Sequence, residues 1–154
     1  MKKLFGLVAV AFATILGTSN MNAQTYKTGA GLMVDVGDGA TLVGPHVKHF
    51  FSTNSAGEFS VLFGGDATTV QALYQFNKGI GGAKGLMWYV GIGPSVSFGD
   101  GDSLFGIVPV AGLDYKIQGA PLDLFFDWRP RAVFYDGDSD FIAGRFGLGL
   151  RFTF

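Results

Sequence analysis

The last ten residues, 145–154, read Arg-Phe-Gly-Leu-Gly-Leu-Arg-Phe-Thr-Phe, and they constrain the fold more than any other segment. Phe146, Leu148, Leu150, Phe152 and Phe154 occupy every second position, with Arg145, Gly147, Gly149, Arg151 and Thr153 between them. A period of two places alternate side chains on opposite faces of an extended chain. The segment is therefore a β-strand with one bulky apolar face and one face that is small or charged. Such a strand has to sit between an apolar medium and a polar one.

The same alternation recurs upstream. Trp88, Val90, Ile92, Pro94, Val96 and Phe98 share one face, while Tyr89, Gly91, Gly93, Ser95 and Ser97 share the other. Leu122, Leu124, Phe126, Trp128, Pro130, Ala132 and Phe134 alternate with Asp123, Phe125, Asp127, Arg129, Arg131, Val133 and Tyr135. Leu113, Tyr115 and Ile117 alternate with Asp114 and Lys116. Clusters rich in Gly and Asp, whose backbones tolerate hairpin angles, divide the chain at regular intervals. They delimit eight predicted strands, at 26–36, 41–51, 58–64, 68–77, 86–98, 104–117, 122–135 and 141–154. The connections fall at 37–40, 52–57, 65–67, 78–85, 99–103, 118–120 and 136–140. Pro94, Pro109 and Pro130 lie on the apolar face inside predicted strands. Each deprives a ladder of a donor, so a bulge or a local break is expected at each.

Parity does not say which face points outward, because a soluble lipocalin-like barrel alternates as well. Volume and charge decide it. The interior of an eight-stranded barrel is just wide enough for side chains. The Phe, Leu, Trp, Ile and Val set is too bulky for that space, whereas the Gly, Ser and Ala set suits it. A soluble exterior needs many charges, yet only 15% of the chain is charged and Glu58 is its single Glu. The apolar face is therefore expected to meet lipid. A closed barrel also gives every backbone group in a bilayer a partner. The predicted fold is all-β, a closed eight-stranded antiparallel up-and-down transmembrane β-barrel with short loops.

At the other end of the chain, Lys2 and Lys3 precede an apolar stretch from Leu4 to Leu16 and a polar segment ending at Ala23. That is the layout of a secretory signal peptide, residues 1–23, followed by a barrel domain over 24–154. Taking Lys2 and Lys3 from the 11 basic residues leaves nine against 12 acidic ones. So mild a charge offers nothing to a nucleic acid. The chain has no cysteine, hence no disulfide framework.

A strand ending on a terminal Phe, behind such a leader, resembles the closing strand of small outer-membrane barrels of the OmpA/OmpX-like kind. The chain also resembles the compact porin-family barrels of Bacteroidetes. The resemblance implies that Phe154 and Phe152 form an assembly signal read by the barrel-assembly machinery during insertion. It implies the outer membrane of a Gram-negative bacterium, with both termini periplasmic. Partners would be outer-membrane lipids and lipopolysaccharide, with an envelope protein as a further candidate. In that orientation Asp38, Asp66, Asp100, Asp102, Asp136, Asp138 and Asp140 lie in the outer connections, and Lys78 and Lys84 in the periplasmic ones. Phe51, Tyr74, Phe76, Trp88, Tyr115, Phe152 and Phe154 would form the periplasmic aromatic girdle, and Phe63, Phe98, Phe105 and Phe134 the outer one.

The inward parity collects Asp35, His46, Lys48, Glu58, Gln71, Gln75, Asp114, Lys116, Asp123, Asp127, Arg129, Arg131, Arg145 and Arg151. Buried charges have to be paired. Asp35, Asp127, Arg129, Arg131, Arg145 and Arg151 are the expected lumen charge network, either a structural plug or a narrow conduit. The favoured reading is a plugged barrel with a structural or envelope-interaction role. The alternative is a narrow transporter or binder of small molecules or ions. A lipid-modifying enzyme is a third class: His46, His49 and Ser52 lie close in sequence, but His49 has the outward parity and no triad can be read. No catalytic residue and no cofactor is expected. Asp136, Asp138 and Asp140 begin like a calcium loop, but Phe141 and Gly147 stand where an EF-hand needs Gly and Glu. They are weak candidates for a divalent ion, and no metal centre is expected.

Overall fold

The computed structural model describes residues 26–154. The proposed signal peptide, residues 1–23, lies outside the described residues. Ten strand segments follow one another: β1 (Thr28–Gly37), β2 (Leu42–Phe50), β3 (Ser55–Gly64), β4 (Ala67–Gly79), β5 (Leu86–Gly99), β6 (Asp102–Lys116), β7 (Leu122–Trp128), β8 (Arg131–Tyr135), β9 (Asp138–Ile142) and β10 (Arg145–Thr153). They make eight staves, because β7 and β8 are two halves of one stave and β9 and β10 two halves of the next. Every stave pairs antiparallel with its neighbours. β10 returns to β1 over nine residue pairs, from Gly29 opposite Thr153 to Gly37 opposite Arg145, and closes the cylinder. No helix of the described residues is long and apolar enough to cross a membrane.

Some connections are tighter than the sequence predicts. Gly99 pairs with Asp102, so the 99–103 connection is only the two residues Asp100 and Gly101, with φ of 49° and 79°. Two successive positive φ values match the right-handed twist of the flanking strands. Likewise Tyr135 pairs with Asp138, which leaves only Asp136 and Gly137 in the turn and places Asp138 and Asp140 on a strand. β3 begins at Ser55 rather than at 58.

Pro94 and Pro109 each interrupt one ladder and leave the other intact. Pro94 faces Ile107 on β6, while the β4 ladder lapses beside it between the Gln71–Ser95 and Tyr74–Ile92 pairs. Pro109 faces Ile92 on β5 and lies between the Ile107–Ala132 and Ala111–Trp128 pairs on its other side. That register sets Pro109 opposite Pro130, so two missing donors share one gap. β5 and β6 therefore run unbroken through Pro94 and Pro109, and only at Pro130 is the strand itself interrupted. Gly93, just before Pro94, sits so close to the Ala72 carbonyl that a Cβ would collide with it.

The last stave departs from the unbroken strand expected over 141–154. Arg131 faces Ile142, and Trp128 faces Phe146. Two residues, 129 and 130, thus stand against three, 143–145. One extra residue is a bulge, and a bulge reverses parity. Counting back from Phe146 would turn Phe141 inward, yet Phe141 faces Ala132 on the outer side and is 57% exposed.

The bulky apolar face points outward all round the cylinder. Leu32, Val43, Phe59, Phe63, Tyr74, Phe76, Trp88, Ile92, Phe98, Phe105, Leu113, Leu124, Phe126, Phe134, Leu148 and Phe152 are all exposed. Stacked pairs such as Phe126 with Phe146 and Phe105 with Phe134 pave this wall. The inward face carries charged and amide side chains among apolar clusters. One cluster is Met33, Leu42, Leu62 and Phe125, and another is Leu73, Tyr89, Val108 and Val110.

Candidate functional site

The inward parity delivers five cations and five carboxylates to the barrel interior: Lys48, Arg129, Arg131, Arg145 and Arg151 with Asp35, Glu58, Asp114, Asp123 and Asp127, every one buried. Equal numbers leave the interior without net charge, which is the condition for holding ions in a low-dielectric space. The pairs form two separate groups.

The first lies towards the end of the cylinder that carries the aspartate turns. Asp35 on β1 accepts from Arg131 Nη2 on β8 at 3.1 Å and from Arg145 Nε on β10 at 3.0 Å. Arg145 also donates to the carbonyls of Asp38, at 2.6 Å, and Ala40, at 2.9 Å, and so ties down the β1–β2 connection.

The second group fills the middle of the barrel and the end near the chain terminus. Arg129 grips both oxygens of Asp127, at 2.7 and 2.6 Å, in the fork geometry that suits a guanidinium and a carboxylate. The same guanidinium reaches Glu58 Oε1 on β3 at 3.1 Å and Gln71 Oε1 on β4 at 3.2 Å. The Tyr89 hydroxyl on β5 donates to Asp127 over Gly112 of the intervening β6. Glu58 also accepts from Gln75 at 2.7 Å, and its second oxygen lies 3.5 Å from Arg151. Arg151 in turn donates to Asp123 at 2.7 Å, to Asp114 at 3.2 Å and to His46 Nε2 at 3.1 Å, with its guanidinium carbon 4.1 Å over the Phe125 ring. Lys48 completes the group with Asp114 at 2.9 Å and Asn77 at 2.6 Å.

Register explains how so large a side chain as Arg129 fits. Asp35, Gly147 and Asp127 lie side by side on β1, β10 and β7. A Cβ on Gly147 would stand 2.6 Å from both Arg129 Nε and Asp127 Oδ1. The missing side chain is the room the guanidinium occupies.

All six expected network residues point into the interior, but they do not make one network. Arg131 pairs with Asp35 and not with Asp127, and among the described residues no hydrogen bond or ion pair joins the Asp35 group to the Arg129 group. Glu58, which the sequence places on the inward face without a partner, is the link between Arg129 and Arg151. Lys116 stays half-buried and donates instead to the Ile117 and Ala120 carbonyls of the next turn. Tyr26, Asn77 and Tyr89 are members that sequence reasoning missed. Tyr89 was findable, since it is the one aromatic residue on the Gly and Ser face of its strand. Tyr26 precedes β1, which begins at Thr28 rather than at 26, so the even parity that would have turned it outward with Leu32 does not hold there.

The other candidate groups do not converge. His46 is buried against Arg151, whereas the His49 ring, on the other face, bonds Thr28 Oγ1 at 2.8 Å and packs edge-on against Phe51. Ser52 accepts from the Ser55 amide in a turn. Among the described residues no three His, Asp or Glu side chains gather as a metal site. Asp136 sits in the turn, and Asp138 and Asp140 bind the amides of Ser139 and Phe141. The terminal Phe154 exchanges backbone hydrogen bonds with Thr28, at 2.9 and 3.1 Å, at the closing seam, and Phe152 faces outward. On the outer wall, Gly57 and Ala72 leave a groove of about 410 Å3 between Phe51, Phe59 and Tyr74.

No protein-family model and no curated protein matches the chain. Solved structures do. The crystal structure of the N-terminal β-barrel domain of Pseudomonas aeruginosa OprF superposes with a TM-score of 0.63 at 17% identity, covering 86% of this chain and 100% of that one. A de novo designed transmembrane β-barrel superposes with a TM-score of 0.62 at 12% identity, with coverage of 86% and 100%. At such identities the likeness is one of fold: a closed eight-stranded antiparallel barrel.

Proposed function

We propose that this chain is an integral outer-membrane β-barrel whose polar lumen is plugged and whose role is structural or one of interaction within the envelope. The observation that carries the reading is the inversion of the usual pattern. The exposed wall is aromatic and aliphatic, while the buried interior holds ten paired charges. Only an apolar solvent makes that arrangement favourable. The two solved barrels of the same fold, the N-terminal β-barrel domain of OprF and a barrel designed as transmembrane, support it.

In this reading the aspartate turns face the outside and the termini the periplasm. Lipids are the principal partners, with acyl chains packing in the groove beside Gly57 and lipopolysaccharide meeting the acidic rim. The barrel-assembly machinery reads Phe152 and Phe154 during insertion, and an envelope protein is a further partner. No catalytic role is assigned, since His46 and His49 lie on opposite faces. Both Trp88 and Trp128 stand on the outer wall. Reconstituted into vesicles with brominated acyl chains, their fluorescence should be quenched; unquenched emission would defeat the membrane reading.

A narrow conduit is the second reading. It is favoured by buried polar atoms with no protein partner, among them Ser60 Oγ, Gln71 Nε2 and Gln75 Oε1. Planar-bilayer recording separates the two, because a plug predicts no unitary current and a conduit predicts small, steady steps.

A further inference from the structure

Among the described residues, β9 is the one strand segment with a single paired neighbour. The β8–β9 hairpin rises beyond the last β1–β10 pair, Gly37 with Arg145, and β9 pairs only with β8 among the described residues. The flanking pair of a two-residue hairpin, here Tyr135 and Asp138, exchanges both ladder bonds, and such pairs alternate along the strands. Asp138, Asp140 and Ile142 therefore direct their backbone groups to β8. Ser139 and Phe141 direct theirs to the open side.

Those two amides are the ones already taken. Ser139 N donates to Asp138 Oδ1 at 2.8 Å, and Phe141 N donates to Asp140 Oδ1 at 2.9 Å. An exposed edge with free donors is a template for strand addition. Here each donor that an incoming strand needs is held by the carboxylate of the preceding residue.

We propose that Asp138 and Asp140 block this edge against strand addition, and that the strand they exclude is β9 of a second copy of this chain. The strand is self-complementary. Laid antiparallel about Asp140, Ser139 meets Phe141 of the other copy and Phe141 meets Ser139, so the pairing is symmetric and closed. The exposed Phe141 side chain supplies an apolar contact that would favour such a dimer. The same register sets Asp140 against Asp140, where like charges repel. Masked donors and facing charges thus act together. This inference rests on the barrel fold and its register, not on the membrane reading.

The full chain in detergent is tested by light scattering after size exclusion, with circular dichroism confirming the barrel. The unaltered protein stays monomeric over a hundredfold range of concentration. D138A/D140A raises the dimer fraction at least tenfold. D138N/D140N, which keeps both acceptors and removes both charges, falls between the two. Asp140→Cys in a D138A background then gives an intermolecular disulfide, since that position faces itself across the dyad. A monomeric D138A/D140A, or a dimer in which residue 140 does not cross-link, overturns the proposal. Should the double alanine variant lose its barrel signal, the Asn variant and the single alanine variants carry the same comparison. A β9 edge unable to stay folded without its carboxylates, with every variant monomeric, also overturns it.

Discussion

Glu58 and Arg129, 71 residues apart in sequence, meet at 3.1 Å in the barrel interior, and the other oxygen of Glu58 lies 3.5 Å from Arg151. One carboxylate thus joins both guanidiniums of the central group. Truncating a member of a buried ion pair costs about 3–5 kcal/mol, because the remaining charge is left uncompensated. Glu58→Ala should lower the unfolding free energy in detergent by that amount. Glu58→Gln should cost less, since its amide oxygen still accepts from Gln75. Urea unfolding followed by tryptophan fluorescence measures both.

Asp35 and Arg131 are bonded to each other but are not equivalent. Asp35 serves two guanidiniums, and among the described residues Arg131 has only Asp35 as its ionic partner. Asp35→Ala strands two buried cations, while Arg131→Ala leaves Asp35 still held by Arg145. The first substitution should therefore destabilise more than the second, by about 1–3 kcal/mol. The double variant should cost less than the sum of the singles, which a double-mutant cycle reads directly.

Gly147 should tolerate no side chain. A Cβ there meets Arg129 and Asp127 at 2.6 Å, and both are locked by mutual hydrogen bonds. Gly147→Ala should cost about 1–3 kcal/mol as overpacking. Gly137 in the β8–β9 turn has open space around it but a φ of 77°, so alanine there should show only the smaller backbone penalty. Thermal denaturation of the two variants should rank them in that order.

Much of this was legible in the sequence because a strand has a period of two. Arg145, Arg151, Asp127 and Glu58 could be assigned to the interior residue by residue, and the wall from Leu122 to Trp128 likewise. Partnership was not legible. Whether Arg131 chooses Asp127, four residues away on its own stave, or Asp35 across the seam depends on shear and stave tilt, which no local pattern encodes. The bulge at Ala143 and Gly144 was hidden for the same reason. Its extra residue is defined only against the register of β7 and β8, so Phe141 carried the wrong parity when counted from Phe146. The loop aspartates are a different case: Asp138 and Asp140 alternate as ion ligands can, and their local partners, the amides of Ser139 and Phe141, each met by one carboxylate oxygen, could be seen only in the structure.

Phe126 lies midway along the outer wall, 54% exposed and stacked on Phe146 at 5.9 Å. If this wall meets lipid, Phe126→Arg should destabilise the barrel in bilayers by about 2–4 kcal/mol. The same substitution in a soluble barrel exterior would change stability by less than about 0.5 kcal/mol. Folding equilibria in short-chain phosphatidylcholine vesicles distinguish the two.

Phe154 separates stability from assembly. Its contacts at the seam are backbone bonds to Thr28, which Phe154→Ala retains. The purified variant should therefore unfold in detergent within about 0.5 kcal/mol of the unaltered protein. If the ring is instead what the assembly machinery reads, the amount of heat-modifiable barrel recovered from cell envelopes should fall severalfold. An in-cell yield that follows the small change in stability would remove the signalling role and leave Phe154 as a girdle residue alone.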